Sequence, residues 1–297
     1  PLVYLDTNEK FFPSDLETHI KNTVPYVNLV PIDPVPAVSL ANLDALNQLG
    51  NNGSNVFLTL KESVENNPDF LAGVQPDDSG KTNNAISCAV IANDHGDGII
   101  DIFYMYFYSF DEGNTVLNQE LGDHVGDWEH NMIRFRDGLP QAIWFSQHAS
   151  GEAFSYEAVM KQGNRPVVYS AKGTHANYAI DGVHDHTIPG LNLGAGLIED
   201  HTSKGKIWDP LKNSFFYTYD SKSNMMESVN NSPVAAMNFK GKWGDAEYPD
   251  GQHGQRSFFG FKKYVGGPTG PLSKELHRKE ICPKNINPCL VRDTLGP

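Results

Sequence analysis

Asp127 and Glu129 stand two residues apart in "LGDHVGDWEHNMIRF" (121–135), with His124 three residues ahead of the first. Side chains on a strand alternate between faces. Asp127, Glu129, Asn131, Ile133 and Phe135 therefore share one face, and Trp128, His130, Met132 and Arg134 share the other. The first face turns apolar after Asn131, which puts the two carboxylates at the rim of a core, about 7 Å apart at the backbone. Their side chains can converge, and two carboxylates about 4 Å apart repel by roughly 4 kcal/mol at an effective dielectric of about 20. A proton, a cationic side chain or a metal ion would relieve that repulsion. Arg134 is on the opposite face, so a divalent cation is the better match, with His124 folding over the same point. Oxygen ligands with one imidazole suit Ca²⁺ first, with Mg²⁺ or Mn²⁺ as alternatives, and suit Zn²⁺ less. A hairpin returning into Asp127 would bring in a further carboxylate from Asp111 or Glu112, at the end of "IIDIFYMYFYSFDEG". The competing reading is a carboxylate pair bonded to backbone N–H groups with His124 in solvent. Spacing alone weighs the two equally.

Two more histidines close apolar runs in small-residue turns: His148 in "IWFSQHASGEAFSY" and His175 in "VVYSAKGTHANY". Strand ends are where binding and catalytic groups gather. Each is a candidate metal ligand or general base, and for each the plainer alternative is a loop histidine bonded to backbone. His184, His186 and His201 fall in a polar stretch where solvation is expected, whereas His130 shares a face with Trp128 and is expected to be structural. The row Ile102, Tyr104, Tyr106, Tyr108 and Phe110 could stack on sugar rings, but a place in the core is the expectation. "NDHGDGIID" lacks the closing acidic residue of a calcium loop and is expected to be a hairpin turn on "GDG".

These residues need strands to position them. With 27 glycines and 19 prolines, turn signals are dense and the apolar runs between them short. The fold class expected is mainly β: a single-domain β-sandwich over 1–297 with long loops and a few short helices. Predicted strands cover 56–60, 86–92, 99–110, 127–136, 141–148, 153–159, 166–171 and 215–219. Helices are expected in "SDLETHIKN" behind a capping Ser14, in "SLANLDALNQL" after Ser39, and in "SKELHRKE". Residues 182–206 read as a long surface loop and 268–297 as a C-terminal extension.

A net charge of −13, from 36 acidic against 23 basic residues, argues against a nucleic-acid partner. No apolar run reaches the length of a membrane span. The opening "PLVYLDTNEKFF" does not read as a signal peptide, so the expectation is a cytosolic chain or a mature secreted one. Cysteine usage favours the second. Cys282 and Cys289 bracket "CPKNINPC", where a local disulfide would pin the tail; two reduced thiols are the alternative. Cys88 reads as a small buried apolar residue.

The segments "PLVYLDTNEKFFPSDL", "DIFYMYFYSFDEGN", "GDHVGDWEHNMIRF", "YSAKGTHANY" and "IWDPLKN" together resemble, over nearly the whole chain, the fungal and plant family named for vacuolar protein sorting, member sixty-two. More distantly, "GDHVGDWEHNMIRF" is similar to the G-H-R-H-D-W-E signature of the necrosis- and ethylene-inducing-peptide-like proteins. Those are secreted β-sandwich cytolysins that hold a divalent cation, usually calcium, and engage glycosylated sphingolipids. The second resemblance implies His124 as the signature's first histidine, Asp127 and Glu129 as metal-binding carboxylates and Asp111 as the upstream aspartate. Gly126 stands where the signature has its second histidine, and Trp243 and Asp245 in "KGKWGDAEYP" echo later parts of that fold.

Together these readings predict a secreted, divalent-cation-dependent hydrolase or lyase acting on a carbohydrate-rich or anionic substrate. Its ligands would be Asp111, His124, Asp127 and Glu129, with His148 and His175 as general base and acid. The alternative is a lectin or cytolysin that docks on polysaccharide or glycolipid through the cation without turnover. A third reading is a trafficking or scaffold protein with a structural ion.

Overall fold

The structure, a computed structural model, describes residues 1–34, 36–185 and 198–295. Its centre is an eight-stranded sheet. Cys88–Gly96 (β5), Ile99–Asp111 (β6), His124–Arg136 (β9), Leu139–Gln147 (β10) and Ser150–Ser155 (β11) are successive antiparallel neighbours. Ser214–Asp220 (β18) joins β5 in parallel and carries Met225–Val229 (β19), while Val291–Arg292 (β22) joins β11 at the other edge. A smaller sheet runs in the order Lys161–Gln162 (β12), Arg165–Ser170 (β13), Leu2–Leu5 (β1) and Ile207–Trp208 (β17), with Asn177–Tyr178 (β14) also on β13. A third sheet is made of Thr23–Val27 (β2), Val30–Pro31 (β3) and Val56–Leu60 (β4). Among the described residues, three two-stranded hairpins complete the strands: Asn114–Val116 (β7) with Gln119–Leu121 (β8), Gly182–Asp185 (β15) with Glu199–Thr202 (β16), and Ser257–Phe258 (β20) with Phe261–Lys262 (β21).

Alternation on the central strands explains the layers. On β6 the even positions Tyr106 and Tyr108 join Ile133, Ile143 and Phe145 against Val3, Leu5 and Val168 of the smaller sheet. The odd positions Phe103, Met105 and Phe107 join Trp128, Met132 and Trp144 on the other face, under Leu16, Ile20, Leu58 and Met237. A sandwich is thus formed, with its large sheet covered on both sides, and the tyrosine row lies in its core as expected.

Each predicted strand has its observed counterpart, 56–60 with the same ends and the others with shifted ends. His124 is the first residue of β9 and not part of a preceding turn. The run expected over 153–159 stops at Ser155, where Ala158 N–H donates to Ser155 O and Lys161 Nζ binds the carbonyls of Tyr156 and Val159. The first helix, Leu16–Lys21 (α1), is capped by Asp15 and not by Ser14, because the Ser14 hydroxyl accepts the N–H of Ser109 instead. "SLANLDALNQL" gives only a 3₁₀ turn at Leu43–Gln48, since the Asn42 amide is engaged with Ala37 and Ser39. "SKELHRKE" is not a helix: its carbonyls serve side chains of the sheet, Leu276 O accepting from Asn93 and Arg278 O and Lys279 O from Arg134.

The disulfide Cys282–Cys289 is formed. The stretch expected as a surface loop holds the β15–β16 hairpin, while its residues 186–197, with His186, lie outside the described ones. Among the described residues no helix is long and apolar enough to cross a membrane.

Candidate cation-binding site

The β6–β9 ladder sets the site. Tyr108 pairs with Asp127 and Tyr106 with Glu129, so both carboxylates point toward the smaller sheet; Asp111 pairs with His124 one turn of the pleat further out. Asp127 and Glu129 are buried, not splayed into solvent. Gly126 makes the approach possible. It takes φ +70°, and a Cβ there would lie 2.0 Å from the carbonyl oxygen of Trp243, so the histidine expected from the signature cannot occupy this position. That carbonyl accepts a hydrogen bond from His19 Nε2–H at 2.9 Å. Asp245 is likewise structural, taking the N–H of Leu60 at 2.7 Å and the hydroxyl of Tyr248; burial pushes its carboxyl up to about 6.

His175 arrives from the loop after β13 and stacks on Tyr108, ring centroids 3.7 Å apart and planes 3° from parallel. Its Nε2–H donates to Phe11 O at 2.9 Å, and its Nδ1 lies 3.1 Å from Asp127 Oδ2. One ligand atom from each of Asp111, Asp127 and His175 falls within 4.8 Å of the others. With Nε2 committed as donor, a neutral His175 would aim the Nδ1 lone pair at a carboxylate oxygen. Something positive must sit between them, a proton or a metal ion. His124 has the complementary tautomer: Nδ1–H donates to Gly126 O at 2.7 Å, leaving Nε2 as an electron-pair donor 3.8 Å from Asp111 Oδ2. A backbone carbonyl fixing one ring nitrogen so that the other can ligate is a common outer-shell device of metal sites.

The electrostatics agree. Burial, followed by the charges of Asp127 and Asp123, raises the Asp111 carboxyl well above its ordinary range. Burial and Asp127 push Glu129 up to about 8, against the Ser146 hydroxyl that donates to it. Burial would lift Asp127 too, but the His175 hydrogen bond and charge outweigh it and the net shift is down. Burial would lower His175, but Asp127 and Glu9 outweigh it and the net shift is up. His124 is lowered by burial. Among the described residues, no Lys or Arg forms an ion pair with Asp111, Asp127 or Glu129.

Of the predicted ligands, the fold brings Asp111 and Asp127 together and adds His175, expected as an acid or base, while His124 approaches the group only through Asp111, its Nε2 3.8 Å from Oδ2. Glu129 is diverted. β10 leaves the β9 ladder after Phe145, and Ser146 Oγ then accepts the N–H of His130 at 2.9 Å while donating to Glu129. His148 does not join His175. It bonds Asp200 Oδ2 at 2.7 Å, and Asp200, fully buried, also accepts from Thr174 and Tyr178. Burial would lower His148, yet Asp200 holds it raised. A cavity of about 1030 Å³ covers the site, with Asp111, His124, His148, Glu152, Tyr178 and Arg292 among its walls. Asp127 and His175 lie behind that wall. Glu9, Ser146 and Thr174 lie inside the stretches quoted above but were not singled out, and Asp200 stood in none of them; each finds its partner only through the way the chain folds back.

Arg134 points the other way, as expected. It forks onto Asp101, Nε to Oδ1 at 2.8 Å and NH2 to Oδ2 at 2.7 Å, and bonds the carbonyls of Arg278 and Lys279. His130 is structural, as its face implied: its Nε2 accepts from the buried Arg278 at 3.1 Å.

The family model described as "Vacuolar protein sorting-associated protein 62" matches residues 1–250. A putative vacuolar protein sorting-associated protein, TDA6 of Saccharomyces cerevisiae, is 34% identical over 95% of this chain and 66% of its own length. Vacuolar protein sorting-associated protein 62 of the same yeast is 30% identical over the same shares. The chain thus spans somewhat less than two thirds of these curated relatives. No solved structure matches it. These relatives overturn the expectation of a secreted hydrolase or lyase and that of a necrosis-inducing lectin or cytolysin, because they are named for sorting to the vacuole and not for export, hydrolysis or toxicity. The short shared signature around Asp127 carried the expectation too far: it reports local strand geometry, and fold likeness does not transfer chemistry.

Proposed function

The chain belongs to the vacuolar protein sorting-associated protein 62 family, and from that premise we propose that it serves vacuolar protein sorting inside the cell, as a ligand-binding domain built on a divalent-cation site. The observation that carries the site is the 3.1 Å approach of His175 Nδ1 to Asp127 Oδ2, next to Asp111 and with the other His175 nitrogen already donating to Phe11 O. The donor set fits an ion: Asp111 and Asp127 supply oxygens and His175 Nδ1 a nitrogen, and His124 Nε2, beside Asp111, is a further nitrogen that an ion could draw in. The expected preference for Ca²⁺ rested on a single imidazole. With His124 drawn in beside His175, a second imidazole moves Mn²⁺ ahead of Ca²⁺. A bound cation would supply positive charge at the wall of an otherwise acidic cavity, where an oxygen-bearing ligand is drawn in. Asp111 and His124 face that cavity, while Asp127 and His175 hold the inner side and exclude water.

Two measurements test the two halves of this reading. Metal content of the purified chain and its melting temperature with Mn²⁺, Ca²⁺, Mg²⁺ and Zn²⁺ should show one bound ion and a rise in Tm, both lost in Asp127→Asn. No ion and no shift would remove the cation. Expression in yeast lacking both relatives should restore delivery of a vacuolar reporter. Unchanged secretion of the reporter would remove the sorting role.

A further inference from the structure

The stretch "RSFFGFKK", 256–263, holds three phenylalanines and three cations in a chain of net charge −13, and no carboxylate occurs anywhere from 251 to 264. It forms the β20–β21 hairpin. Its two-residue turn, Phe259–Gly260, has both φ values positive, at 49° and 86°. The β7–β8 hairpin has the same kind of turn at Leu117–Asn118, with φ 49° and 62°. Turns of this type favour Asn, Asp or Gly at their first position, and a bulky apolar residue in the left-handed region is an outlier. Here Phe and Leu take that position, and both are exposed, at 83% and 64%.

The two fingers lie side by side. Gly122 N–H donates to Lys262 O at 3.0 Å and Asp123 N–H to Lys263 O at 2.8 Å, and Asp123 bridges Tyr264 in parallel. Because β8 and β21 run the same way from their turns, both tips point to the same end of the molecule. Below the tips the fingers are packed, Val116, Leu121 and Ile198 forming a small core with Phe258 and Phe261. At the base, Gln255 bonds the backbone of Tyr248 and Tyr264. The apolar tips are therefore held out on a built support, with cations set behind them. Lys262 pairs with Asp250, and Lys263 with Glu120 and, less closely, Asp123; both lysines are half-buried, and the pair with the exposed Asp250 is the more readily exchanged for a headgroup. Arg256 is exposed and has no ion pair among the described residues.

We propose that these paired fingers are a docking surface for an anionic lipid bilayer, Phe259 and Leu117 entering the acyl boundary and Arg256, Lys262 and Lys263 meeting the headgroups. Charge complementarity selects the bilayer: the rest of this acidic protein is repelled by an anionic membrane, so only a basic, aromatic projection can bring it there. This inference rests on the hairpins alone and stands or falls separately from the cation site.

The test is co-sedimentation of the full chain with phosphatidylcholine vesicles with and without phosphatidylserine. Wild type should bind only the vesicles containing phosphatidylserine. Phe259→Ser combined with Leu117→Ser should weaken partitioning by about tenfold or more, and Arg256→Glu by about fivefold, with binding lost at high salt. Both tip side chains are exposed, so an unchanged Tm should certify the folds. As a second readout, Phe259→Trp should show a blue-shifted emission with phosphatidylserine vesicles and none with phosphatidylcholine alone. Equal partitioning of wild type and tip variant, absence of vesicle binding, or binding to polyglutamate but not to vesicles would each overturn the proposal.

Discussion

The two ends of strand β9 bury negative charge in opposite ways. At the far end Asp101, fully inaccessible, receives a two-pronged Arg134 and His95 Nε2–H at 2.8 Å. At the near end Asp111, Asp127 and Glu129 are also buried, yet they share His175, His124 and one hydroxyl between them. Desolvating a carboxylate costs several kcal/mol unless a counter-charge is close. The first cluster carries its counter-charge in the chain and is finished as architecture. The second must take a proton or an ion from solution, which makes it responsive to its surroundings. His19 shows a third solution. It is buried as a neutral ring, accepting from the Ser109 hydroxyl and donating to Trp243 O.

The sharpest way to break this contrast is Arg134→Ala, which strands Asp101 and frees the carbonyls of Arg278 and Lys279. Stability should fall by about 3–5 kcal/mol in chemical denaturation, whereas Asp111→Asn should leave the ion-free chain unharmed. Equal losses in the two variants would show that the near cluster is also internally compensated.

His19 supplies the next effect. Burial lowers it from 6.5 to about 4, so the folded state favours the neutral ring. The stability this preserves is complete above pH 6.5 and is lost as pH falls toward 4, roughly 3 kcal/mol in all. Wild type measured against His19→Gln should lose its advantage through that window, and a flat difference would mean that the ring is solvated.

Adding Mn²⁺ at about 100 times its Kd should stabilise the wild type by about 2.7 kcal/mol and do nothing for Asp111→Asn or Asp127→Asn. The smallest change expected is loss of the Cys282–Cys289 link, which closes a loop of sequence separation 7. Replacing both cysteines by serine should remove about 2 kcal/mol. A loss larger than that of Arg134→Ala would transfer the anchoring of the C-terminal segment from Arg134 to the disulfide.

Much of the near cluster was legible because it lies on a ladder. Period-two alternation alone put Asp127 beside Glu129 and Arg134 away from them, and a hairpin between β6 and β9 was enough to bring Asp111 to His124. His175 was recognised as a strand-end residue but not as a partner of Asp127, since their meeting depends on how the smaller sheet stacks on the larger. Asp200 was invisible for the same reason. Local pattern also misjudged "SKELHRKE", where a run of helix-favouring residues is overridden by side chains of β5 and β9 that take the segment's carbonyls. The step from signature to secreted toxin or enzyme failed differently: a few letters around Asp127 cannot carry a substrate or a compartment, and the relatives are named for vacuolar sorting.

Gly126 bears on that last point. Its α-carbon rests against the Trp243 turn with clearance for a hydrogen and nothing larger. Restoring the missing histidine by a single exchange would thrust the tryptophan turn aside and, with it, the acceptor that keeps His19 neutral. In this chain, therefore, a side chain at 126 is barred by packing, and the floor beneath the strand would have to be rebuilt before one could enter.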